Sequence, residues 1–499
     1  MDVTWLRIAV LAVLGLGLAL ALTGIIGALR KQKSRVLWPF LIGALLVAPA
    51  GWVIYQYWAS FKLMFQTDYT VPERELIEIK GHIQQAMEVP ADGWPGWRGP
   101  GRSGIAQAVA FGTAWDKHPP RVVWRKPLGG GYSSVIVVGD KVYATALLQE
   151  NGNTYEAVVC LAAADGKKLW EYRYAVDYAD LDYRDGPRAT PLWHAGRLYV
   201  LGATGEFLCL DAAQEEPQAR LLWRVSLRDS FQAPVPRWGF ASSPLVVGDK
   251  VIVQPGARGS SVVAFHKETG NILWRALDDP NGYSSPVAAN CGGVPQVIVF
   301  TARGVAGLEE KTGQPLWYYP WETEFDCNIA TPIVAGDYVF ISSDYDAGCA
   351  LLRVTGSAPR QQVQPVYVRR RKLMRNHHAS CVLHRGYLFG FDVSGFGGVG
   401  ILKCIEMATG QEKWFTRDLV KGTVIVSGNL LISLSEDGQL SVADASPEGF
   451  RLHGQMQVFH TGRVWCTPAL VGRRLYLRDN REIVCLELPP MEDAQPAVQ

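Results

Sequence analysis

The stretch AFHKETGNILW occupies residues 264–274 of this 499-residue chain. A small residue and an apolar residue lead into a Thr-Gly turn, and a tryptophan follows four residues after the glycine. The same arrangement returns as GLEEKTGQPLW at residues 307–317 and as CIEMATGQEKW at residues 404–414. Glycine adopts the backbone torsions of tight turns readily, and aromatic residues favour strand faces. The three stretches therefore indicate one repeated strand–turn–strand unit.

A second signal surrounds these stretches, namely a two-residue turn between two apolar runs, which is typical of a β-hairpin. The eight turns are Gly139-Asp140, Ala195-Gly196, Gly248-Asp249, Gly292-Gly293, Gly336-Asp337, Arg385-Gly386, Gly428-Asn429 and Gly472-Arg473. An aromatic residue closes seven of these units: Trp170, Trp223, Trp274, Trp317, Tyr367, Trp414 and Phe459. A period of about 40 to 50 residues with four short strands per unit is the signature of a β-propeller.

The eighth unit is incomplete at its end, because the turn Gly472-Arg473 is followed by one further strand, around residues 483–486. The segment Arg121–Arg125 can supply the missing outer strand, and its Trp124 can supply the eighth aromatic residue. Such closure leaves no ring edge free. The sequence therefore predicts an all-β fold over residues 119–488, an eight-bladed β-propeller with first/last strand closure.

The small residue, aliphatic residue, Thr-Gly turn and tryptophan of these three stretches resemble the docking repeat of the PQQ-like propellers. This family includes quinoprotein alcohol dehydrogenases and the lipoprotein that assists outer-membrane protein assembly. For the dehydrogenases, the resemblance implies PQQ lying on a tryptophan at one channel end, with calcium held by Glu, Asn and Asp oxygens. This chain lacks adjacent cysteines and a Cys-x-x-Cys-His motif, which counts against a dehydrogenase. Its first cysteine is Cys160, so the lipid-attachment cysteine of the assembly factor is also missing.

Two uncharged stretches, residues 8–29 and 36–61, precede the repeats. Each is longer than the roughly 20 residues that a helix needs to cross a bilayer. The loop between them carries Arg30, Lys31, Lys33 and Arg35, and the positive-inside bias puts such a loop in the cytoplasm. We therefore expect two transmembrane α-helices, forming a hairpin within residues 1–62, with the propeller on the periplasmic side of a bacterial inner membrane.

A cleaved signal peptide ending near Ala19 and Ala21 is the alternative, and it would leave the basic loop on the wrong side of the membrane. Residues 63–118 are expected to form a juxtamembrane spacer, and residues 489–499 a C-terminal tail. The formal net charge is +2, which gives no charge excess for gripping nucleic acid. Nucleic acid is therefore excluded as an expected partner.

The nine cysteines fall into two groups. Cys160, Cys209, Cys404 and Cys485 occupy the repeat position that Ala264 and Gly307 fill in other units, where a free cysteine acts as a small apolar residue. The sequence leaves the disulfide status of the other five open: Cys291, Cys327, Cys349, Cys381 and Cys466.

The segments before the innermost strands all reach the same end of the central channel, so their side chains are expected to converge. The candidate ligand-binding residues are Arg184, Arg188, Arg237, Trp238, Tyr283, Asp326, Asn328, His378, Arg463 and Trp465. Cations and aromatic rings are the groups that hold a planar anion. By the family resemblance, Trp238 or Trp465 is the candidate floor for PQQ, and Asp326 with Asn328 are candidate calcium oxygens.

Two further expectations concern this channel end. Neighbours on a strand point to opposite faces, so one of His377 and His378 is expected to face the channel, but not both. The competing interpretation of the whole set is that arginine and tryptophan side chains cap the channel and satisfy carbonyl groups at strand ends.

The sequence favours a membrane-anchored, non-catalytic binding or scaffolding module of the cell envelope, with a protein or a small ligand as its partner. The alternative is a PQQ-dependent, membrane-bound alcohol or sugar dehydrogenase, for which PQQ and calcium would be cofactors and Asp326 the candidate general base. A third interpretation, a purely structural spacer, predicts a plugged channel without a pocket. No catalytic residue and no metal site are assigned from the sequence.

Overall fold

A computed structural model describes residues 68–73, 75–76, 78–80, 93–213, 219–371, 373–393, 400–460 and 463–491. The two predicted membrane helices, residues 8–29 and 36–61, lie outside these residues. Among the residues that are described, no helix combines the length and the apolar character needed to cross a membrane.

Eight sheets of antiparallel strands, the blades, account for almost all of the regular structure. Blade 1 contains β4 (Ile136–Val138), β5 (Lys141–Glu150), β6 (Asn153–Ala162) and β7 (Lys168–Ala175). Blade 2 contains β8 (Leu192–His194), β9 (Arg197–Leu201), β10 (Glu206–Asp211) and β11 (Arg220–Ser226). Blade 3 contains β12 (Leu245–Val247), β13 (Lys250–Val253), β14 (Val262–His266) and β15 (Ile272–Ala276). Blade 4 contains β16 (Val287–Cys291), β17 (Val294–Phe300), β18 (Gly304–Glu309) and β19 (Pro315–Pro320).

The remaining blades repeat this order. Blade 5 contains β20 (Ile333–Ala335), β21 (Tyr338–Ser343), β22 (Gly348–Thr355) and β23 (Gln362–Arg369). Blade 6 contains β24 (Val382–His384), β25 (Tyr387–Asp392), β26 (Ile401–Glu406) and β27 (Glu412–Thr416). Blade 7 contains β28 (Gly422–Ser427), β29 (Leu430–Ser435), β30 (Gln439–Asp444) and β31 (Leu452–Gln457). Blade 8 contains β32 (Ala469–Val471), β33 (Arg474–Arg478), β34 (Glu482–Glu487) and β3 (Arg121–Pro127).

Five further short elements lie outside this pattern. Strand β1 (Tyr69–Thr70) adds to the outer edge of blade 5, and β2 (Ile105–Ala106) pairs in parallel with β28. A single-turn helix, α1 (Leu227–Phe231), follows blade 2 and begins at Ser226, whose side chain accepts a hydrogen bond from Asp229 N. Two 3-10 turns occur at Pro100–Arg102 and Glu324–Asp326.

The first strand of each blade lies innermost, because first strands of neighbouring blades contact one another. Each of the eight predicted two-residue turns joins the first strand of a blade to the second, as the repeat predicted. Gly139 at φ 59° and Gly248 at φ 57° show why glycine recurs there, since this left-handed torsion is unfavourable for a residue with a Cβ atom.

The repeat motif docks blade 2 onto blade 3. Cys209 faces Trp223 across β10 and β11, and Ala264 faces Trp274 in the same register of blade 3. Trp223 Nε1 then donates a hydrogen bond of 3.3 Å to Lys267 O of blade 3, beside the Thr-Gly turn. Gly270 of that turn lies on the Trp223 ring, because an added Cβ would come within 2.9 Å of it. All nine cysteines are free and buried.

The predicted ring closure is present in blade 8. Strand β3 pairs antiparallel with β34, with Trp124 opposite Cys485. Trp124 Nε1 donates to Ala163 O of blade 1 at 3.1 Å, which is the same blade-to-blade contact as elsewhere. First and last segments of the domain therefore share one sheet.

Blade 7 differs from the sequence expectation. Phe459 lies beyond the end of β31, and the position opposite Val442 is Gly454. A Cβ at Gly454 would be 2.7 Å from the Trp115 side chain. Trp115 is buried and donates from Nε1 to Gly112 O at 3.0 Å. The aromatic residue at this blade therefore comes from the segment before the propeller, which a search for a fixed repeat period does not find.

Residues 93–106, here called the channel plug, run inside the ring of first strands. Trp94 N donates to Val137 O of blade 1 at 2.8 Å, and Trp193 N of blade 2 donates to Pro95 O at 2.8 Å. Trp97 Nε1 donates to Thr331 Oγ1 beside blade 5 at 2.8 Å. The predicted spacer thus contains a segment that packs within the propeller.

Candidate functional site

A cavity of about 340 Å³ lies at the channel end where the first strands begin. Its volume falls in the range of small-molecule pockets. Its walls are mainly aromatic, with three cations and one carboxylate. The lining residues are Trp97, Tyr132, Tyr183, Arg188, Trp238, Ala241, Tyr283, Ser285, Cys327, Ile329, Tyr345, His377, His378, Lys421, Glu436, Arg463 and Trp465.

Eight aromatic rings follow one another in a chain that we call the aromatic collar, and all of them except Phe325 line the cavity. Neighbouring ring centroids are between 3.8 and 6.2 Å apart. In order around the collar, the rings belong to Tyr132, Trp465, His378, His377, Tyr345, Phe325, Trp238 and Tyr283. A collar of this kind offers flat, polarisable faces to a planar ligand.

The two candidate tryptophan floors have different surroundings. Trp465 stacks on Tyr132 at 4.7 Å and on His378 at 4.0 Å. Trp238 meets Tyr283 at a tilt of 56° and Phe325 edge-on at 81°. Within the described part of the chain, no aromatic ring stacks on Trp238, and the Arg237 guanidinium lies 5.1 Å from its ring centroid.

Three cations stand around the aromatic collar. The Arg463 guanidinium lies 4.9 Å from the Trp465 ring centroid, and that of Arg188 lies 5.8 Å from Tyr132. Lys421 Nζ is 3.5 Å from Glu436 Oε1, which also accepts a 2.9 Å hydrogen bond from Trp465 Nε1. With one carboxylate against three cations, the described residues of the cavity lining carry a net positive charge.

Burial sets the charge states of the other titratable groups in the cavity. It lowers the pKa of His377 to about 4, and the positive charge of Lys421 adds to this effect. Burial also holds the pKa of His378 well below its usual value, with further lowering from His377, Lys421 and Arg463. Burial raises the pKa of Glu436, while Lys421 and the Trp465 hydrogen bond oppose that rise. Both histidines are therefore neutral at pH 7.

The expectation that only one of these histidines faces the channel was wrong. His377 and His378 both line the cavity, and their ring centroids are 3.8 Å apart at an interplanar angle of 30°. The reason is that both residues lie in a bend before β24, which begins at Val382, so strand alternation does not apply.

Six of the ten candidate residues line the cavity, and the remaining four lie elsewhere. The six are Arg188, Trp238, Tyr283, His378, Arg463 and Trp465. Arg237 sits beside the cavity, with its guanidinium 5.1 Å from the Trp238 ring and an ion pair of 2.6 Å to Asp182. Arg184 donates to Ala179 O at 2.5 Å and Leu181 O at 3.2 Å. Its side chain therefore stabilises the segment between blades 1 and 2 in which it lies.

The two candidate calcium oxygens are used in other contacts. Asn328 is buried, donates from Nδ2 to Thr301 O and Trp321 O at 2.8 and 2.9 Å, and accepts from Ser343 Oγ at 2.7 Å. Asp326 Oδ1 is 3.7 Å from Arg303 Nη1. Neither residue lines the cavity.

The calcium site implied by the family does not fit this cavity. Among the described residues, no group of three or more His, Cys, Asp or Glu side chains could share a metal ion. The cavity carries Lys421 and Arg463 beside its carboxylate, and these charges repel a divalent cation. The same charges and the aromatic collar suit a planar anion, so the lining fits the organic part of a quinone cofactor better than its metal.

Sequence analysis missed Tyr345, Glu436 and Trp97. Tyr345 follows β21 and Glu436 follows β29, in turns between second and third strands. In an up-and-down blade these turns reach the same end as the segments before the first strands, so the repeat itself contained this signal. Trp97 comes from the channel plug, and no repeat position points to it.

Comparison with known proteins agrees with this fold. The family model described as outer membrane protein assembly factor BamB matches residues 156–395. Quinohemoprotein alcohol dehydrogenase ADH IIB from Pseudomonas putida is 28% identical over 143 residues, which is 27% of this chain. The chain spans about a fifth of that curated relative, 19% of its length.

Solved structures share the architecture at low sequence identity. BamB from Moraxella catarrhalis matches with a TM-score of 0.50 and 15% identity, covering 74% of this chain and 100% of its own. Quinohemoprotein alcohol dehydrogenase from Comamonas testosteroni matches with a TM-score of 0.56 and 12% identity, covering 85% and 86%. At such identities the likeness concerns the fold alone. Together with the eight repeats and eight sheets, these matches support a PQQ-like β-propeller repeat architecture for this chain.

Proposed function

We propose that this chain is a non-catalytic binding module of the bacterial cell envelope, whose channel-end cavity holds a small planar anion. The observation that carries the proposal is the cavity itself, which combines the aromatic collar with Arg188, Lys421 and Arg463. Aromatic faces stabilise a flat ligand by stacking, and the cations recognise its negative groups by charge-assisted hydrogen bonds.

The charge arrangement favours binding over chemistry. Glu436 is the carboxylate that lines the cavity, and it is held by Lys421 and by Trp465 Nε1. A general base must reach the proton that it removes, and this carboxylate is already engaged by two donors. Asp326, the candidate base from the sequence, lies outside the lining.

Anchoring and partner choice extend the proposal to the rest of the chain. The uncharged stretches 8–29 and 36–61 support a membrane hairpin, and the basic loop between them supports a periplasmic propeller. The similarity to a family described as an outer membrane protein assembly factor supports an envelope protein as a partner. In this proposal the hairpin holds the propeller at the membrane while its channel end and blade edges remain available for binding.

A second candidate is a PQQ-dependent, membrane-bound alcohol or sugar dehydrogenase. One observation favours it, the local similarity to quinohemoprotein alcohol dehydrogenase ADH IIB over 143 residues. The lack of fit to calcium weakens this candidate, because the family's metal would have to enter a cavity lined by cations.

The test is a titration of the detergent-purified full chain with 2,6-naphthalenedicarboxylate, a planar dianion, followed by calorimetry and by melting temperature. We expect saturable binding that raises the melting temperature, because the ligand binds only the folded state. Arg463→Ala should weaken binding about tenfold or more, since a hydrogen bond to a charged group contributes about 1.5–3 kcal/mol. Arg220→Ala, an exposed arginine paired with Asp211 on blade 2, is the matched control and should bind as the wild type does.

The neutral analogue 2,6-naphthalenedimethanol separates charge recognition from stacking. Equal affinity for the diol and the dianion would contradict anion recognition, and no binding of either would refute the proposed function. Parallel titration with PQQ, with and without calcium, decides between the two candidates. Calcium-dependent binding together with alcohol oxidation would establish the dehydrogenase.

A further inference from the structure

One cavity wall does not come from the propeller, because Trp97 belongs to the channel plug, residues 93–106. We propose that the channel plug is the movable floor of the binding site, and that an anion in the cavity and the seated plug stabilise each other. This inference rests on the proposed function, since it concerns the regulation of that same cavity. It links the ligand to the chain segment that precedes the propeller.

The plug is held by contacts with every blade. Besides the contacts of Trp94, Pro95 and Trp97 with blades 1, 2 and 5, β2 pairs with β28 of blade 7 and lies against β32 of blade 8. Arg102 reaches blades 3 and 4, and Arg98 reaches blade 6. A shift of the plug would therefore alter the inner surface of the whole ring.

The two arginines bury positive charge on the channel axis. Arg102 Nη1 donates to Ser243 O at 3.2 Å and to Pro286 O at 3.0 Å, and its Nη2 donates to Pro244 O. Arg98 Nη2 donates to Cys381 O and Ser103 O, while its buried Nη1 has no hydrogen-bond partner among the described residues. Neither guanidinium forms an ion pair with a carboxylate in the described part of the chain.

This arrangement is costly for the seated plug. Burial lowers the pKa of Arg98 to about 10 and that of Arg102 to about 9, which reflects the loss of hydration around each charge. Both residues also adopt left-handed backbone torsions, with φ of 60° and 57°, which residues other than glycine rarely adopt. The plug therefore keeps inside the ring two charged residues that have carbonyl partners but no carboxylate partner, and both have strained backbone torsions.

An anion in the cavity would offset part of that cost. Trp97 lines the cavity and Arg98, the next residue in the chain, carries a buried positive charge, so an anion above Trp97 would act on the plug segment that holds this charge. Attraction between them strengthens at the low effective dielectric of a buried site. By reciprocity, whatever free energy the ligand contributes to seating the plug, the seated plug contributes to holding the ligand.

The experiment measures hydrogen exchange in the full-length protein with and without saturating 2,6-naphthalenedicarboxylate. We expect exchange in residues 93–106 to slow by about fivefold or more, the lower end of typical coupling between sites. Arg102→Gln should weaken binding of the probe by a similar factor, although Arg102 does not line the cavity. Arg370→Gln is the matched control, because Arg370 is also buried with a lowered pKa but packs on Trp321 near β1.

Trp97→Phe supplies a second test that does not depend on removing a buried charge, and it should retain the plug's protection while changing probe affinity. The inference is wrong if the probe binds the wild-type protein but exchange in the plug does not change, or if Arg102→Gln and Arg370→Gln bind the probe equally well. In that case the proposed function still stands. Failure of the probe to bind the wild-type protein would instead overturn the proposed function, and this inference with it.

Discussion

The position and the protonation state of His377 depend on side chains from several elements. Its Nε2 is 3.2 Å from Tyr345 Oη, its Nδ1 is 3.9 Å from Asp344 Oδ2, and its ring stacks on His378. Lys421 from the segment before β28 adds positive charge. The desolvated ring beside a cation favours the neutral form, so protonation of this site opposes the native packing.

Acidification should therefore destabilise the protein through His377. Its native pKa of about 4 lies below the ordinary value of about 6.5, so the unfolded state takes up the proton first. The contribution of His377 to the free energy of unfolding is complete above about pH 6.5. It decreases by about 1–3 kcal/mol as the pH drops towards 4. Thermal denaturation at pH 7.5 and 4.5 measures this loss, which His377→Gln should reduce.

The exposed His460 supplies the control, because His460→Gln should leave the acid response unchanged. An identical loss of stability in the wild-type protein and His377→Gln would contradict the role given to His377. His378 packs on the same ring, so the double substitution should reduce the loss further.

Among the elements, blade 7 depends on a residue from outside its own four strands. Trp115 packs against Gly454 of β31, where other blades carry their own aromatic residue. Gly112 N donates to Pro489 O at 2.8 Å, which ties the same segment to the end of blade 8. The segment before the propeller thus joins the last two blades.

Trp115→Ala should lower the free energy of unfolding by about 3–5 kcal/mol, the usual cost of removing a buried tryptophan side chain. Gly454→Ala should also destabilise the protein, because its Cβ would lie 2.7 Å from Trp115 and from Thr113 O. Phe415→Ala, on an exposed aromatic residue of blade 6, should change stability by less than about 0.5 kcal/mol. Denaturant unfolding monitors all three, and equal effects for Trp115 and Phe415 would rule out the docking role.

At the scale of the whole molecule, closure through β3 joins the two ends of the propeller in one sheet. The N-terminal part of the chain then contributes at four places: β1 on blade 5, the channel plug, Trp115 and β3 itself. The proposed membrane hairpin precedes all four in the chain. In the proposed function, the residues that would anchor the protein and Trp97, which lines the cavity, therefore belong to one N-terminal part of the chain.

Cysteine labelling can test the proposed membrane topology, because all nine native cysteines are free and buried and should react slowly. Lys311→Cys, at an exposed position of blade 4, should react with a membrane-impermeant maleimide in intact spheroplasts if the propeller is periplasmic. Lys33→Cys, in the basic loop, should react only after the membrane is permeabilised. Reversed labelling of the two positions would disprove the proposed orientation.

The fold could be predicted from the chain because its signals are local. The Gly-containing turn recurs in all eight blades, and the Thr-Gly motif with the tryptophan that follows it recurs in three of them, each time within one blade. Because the eighth unit lacks one strand, counting the predicted strands was enough to assign the segment with Trp124 to that unit. Phe459 was misassigned because blade 7 takes its aromatic residue, Trp115, from a distant segment.

The candidate site could be predicted in part, since topology alone brings the segments before the first strands to one end. That reasoning found Trp238, Arg463 and Trp465 but gave no distances between them. It also favoured Asn328, whose amide instead satisfies buried carbonyl groups. Which side chains turn inward depends on bends and on packing between blades, and both are non-local.

By itself, then, the sequence determined the propeller, its eight blades and the way they dock, because turn and strand preferences act over a few residues. Only the tertiary structure decided that His377 stacks beside His378, that Glu436 is held by Lys421, and that the channel plug supplies Trp97 to the cavity. These contacts join residues that are distant in the chain or lie in irregular segments, and no sequence period specifies them.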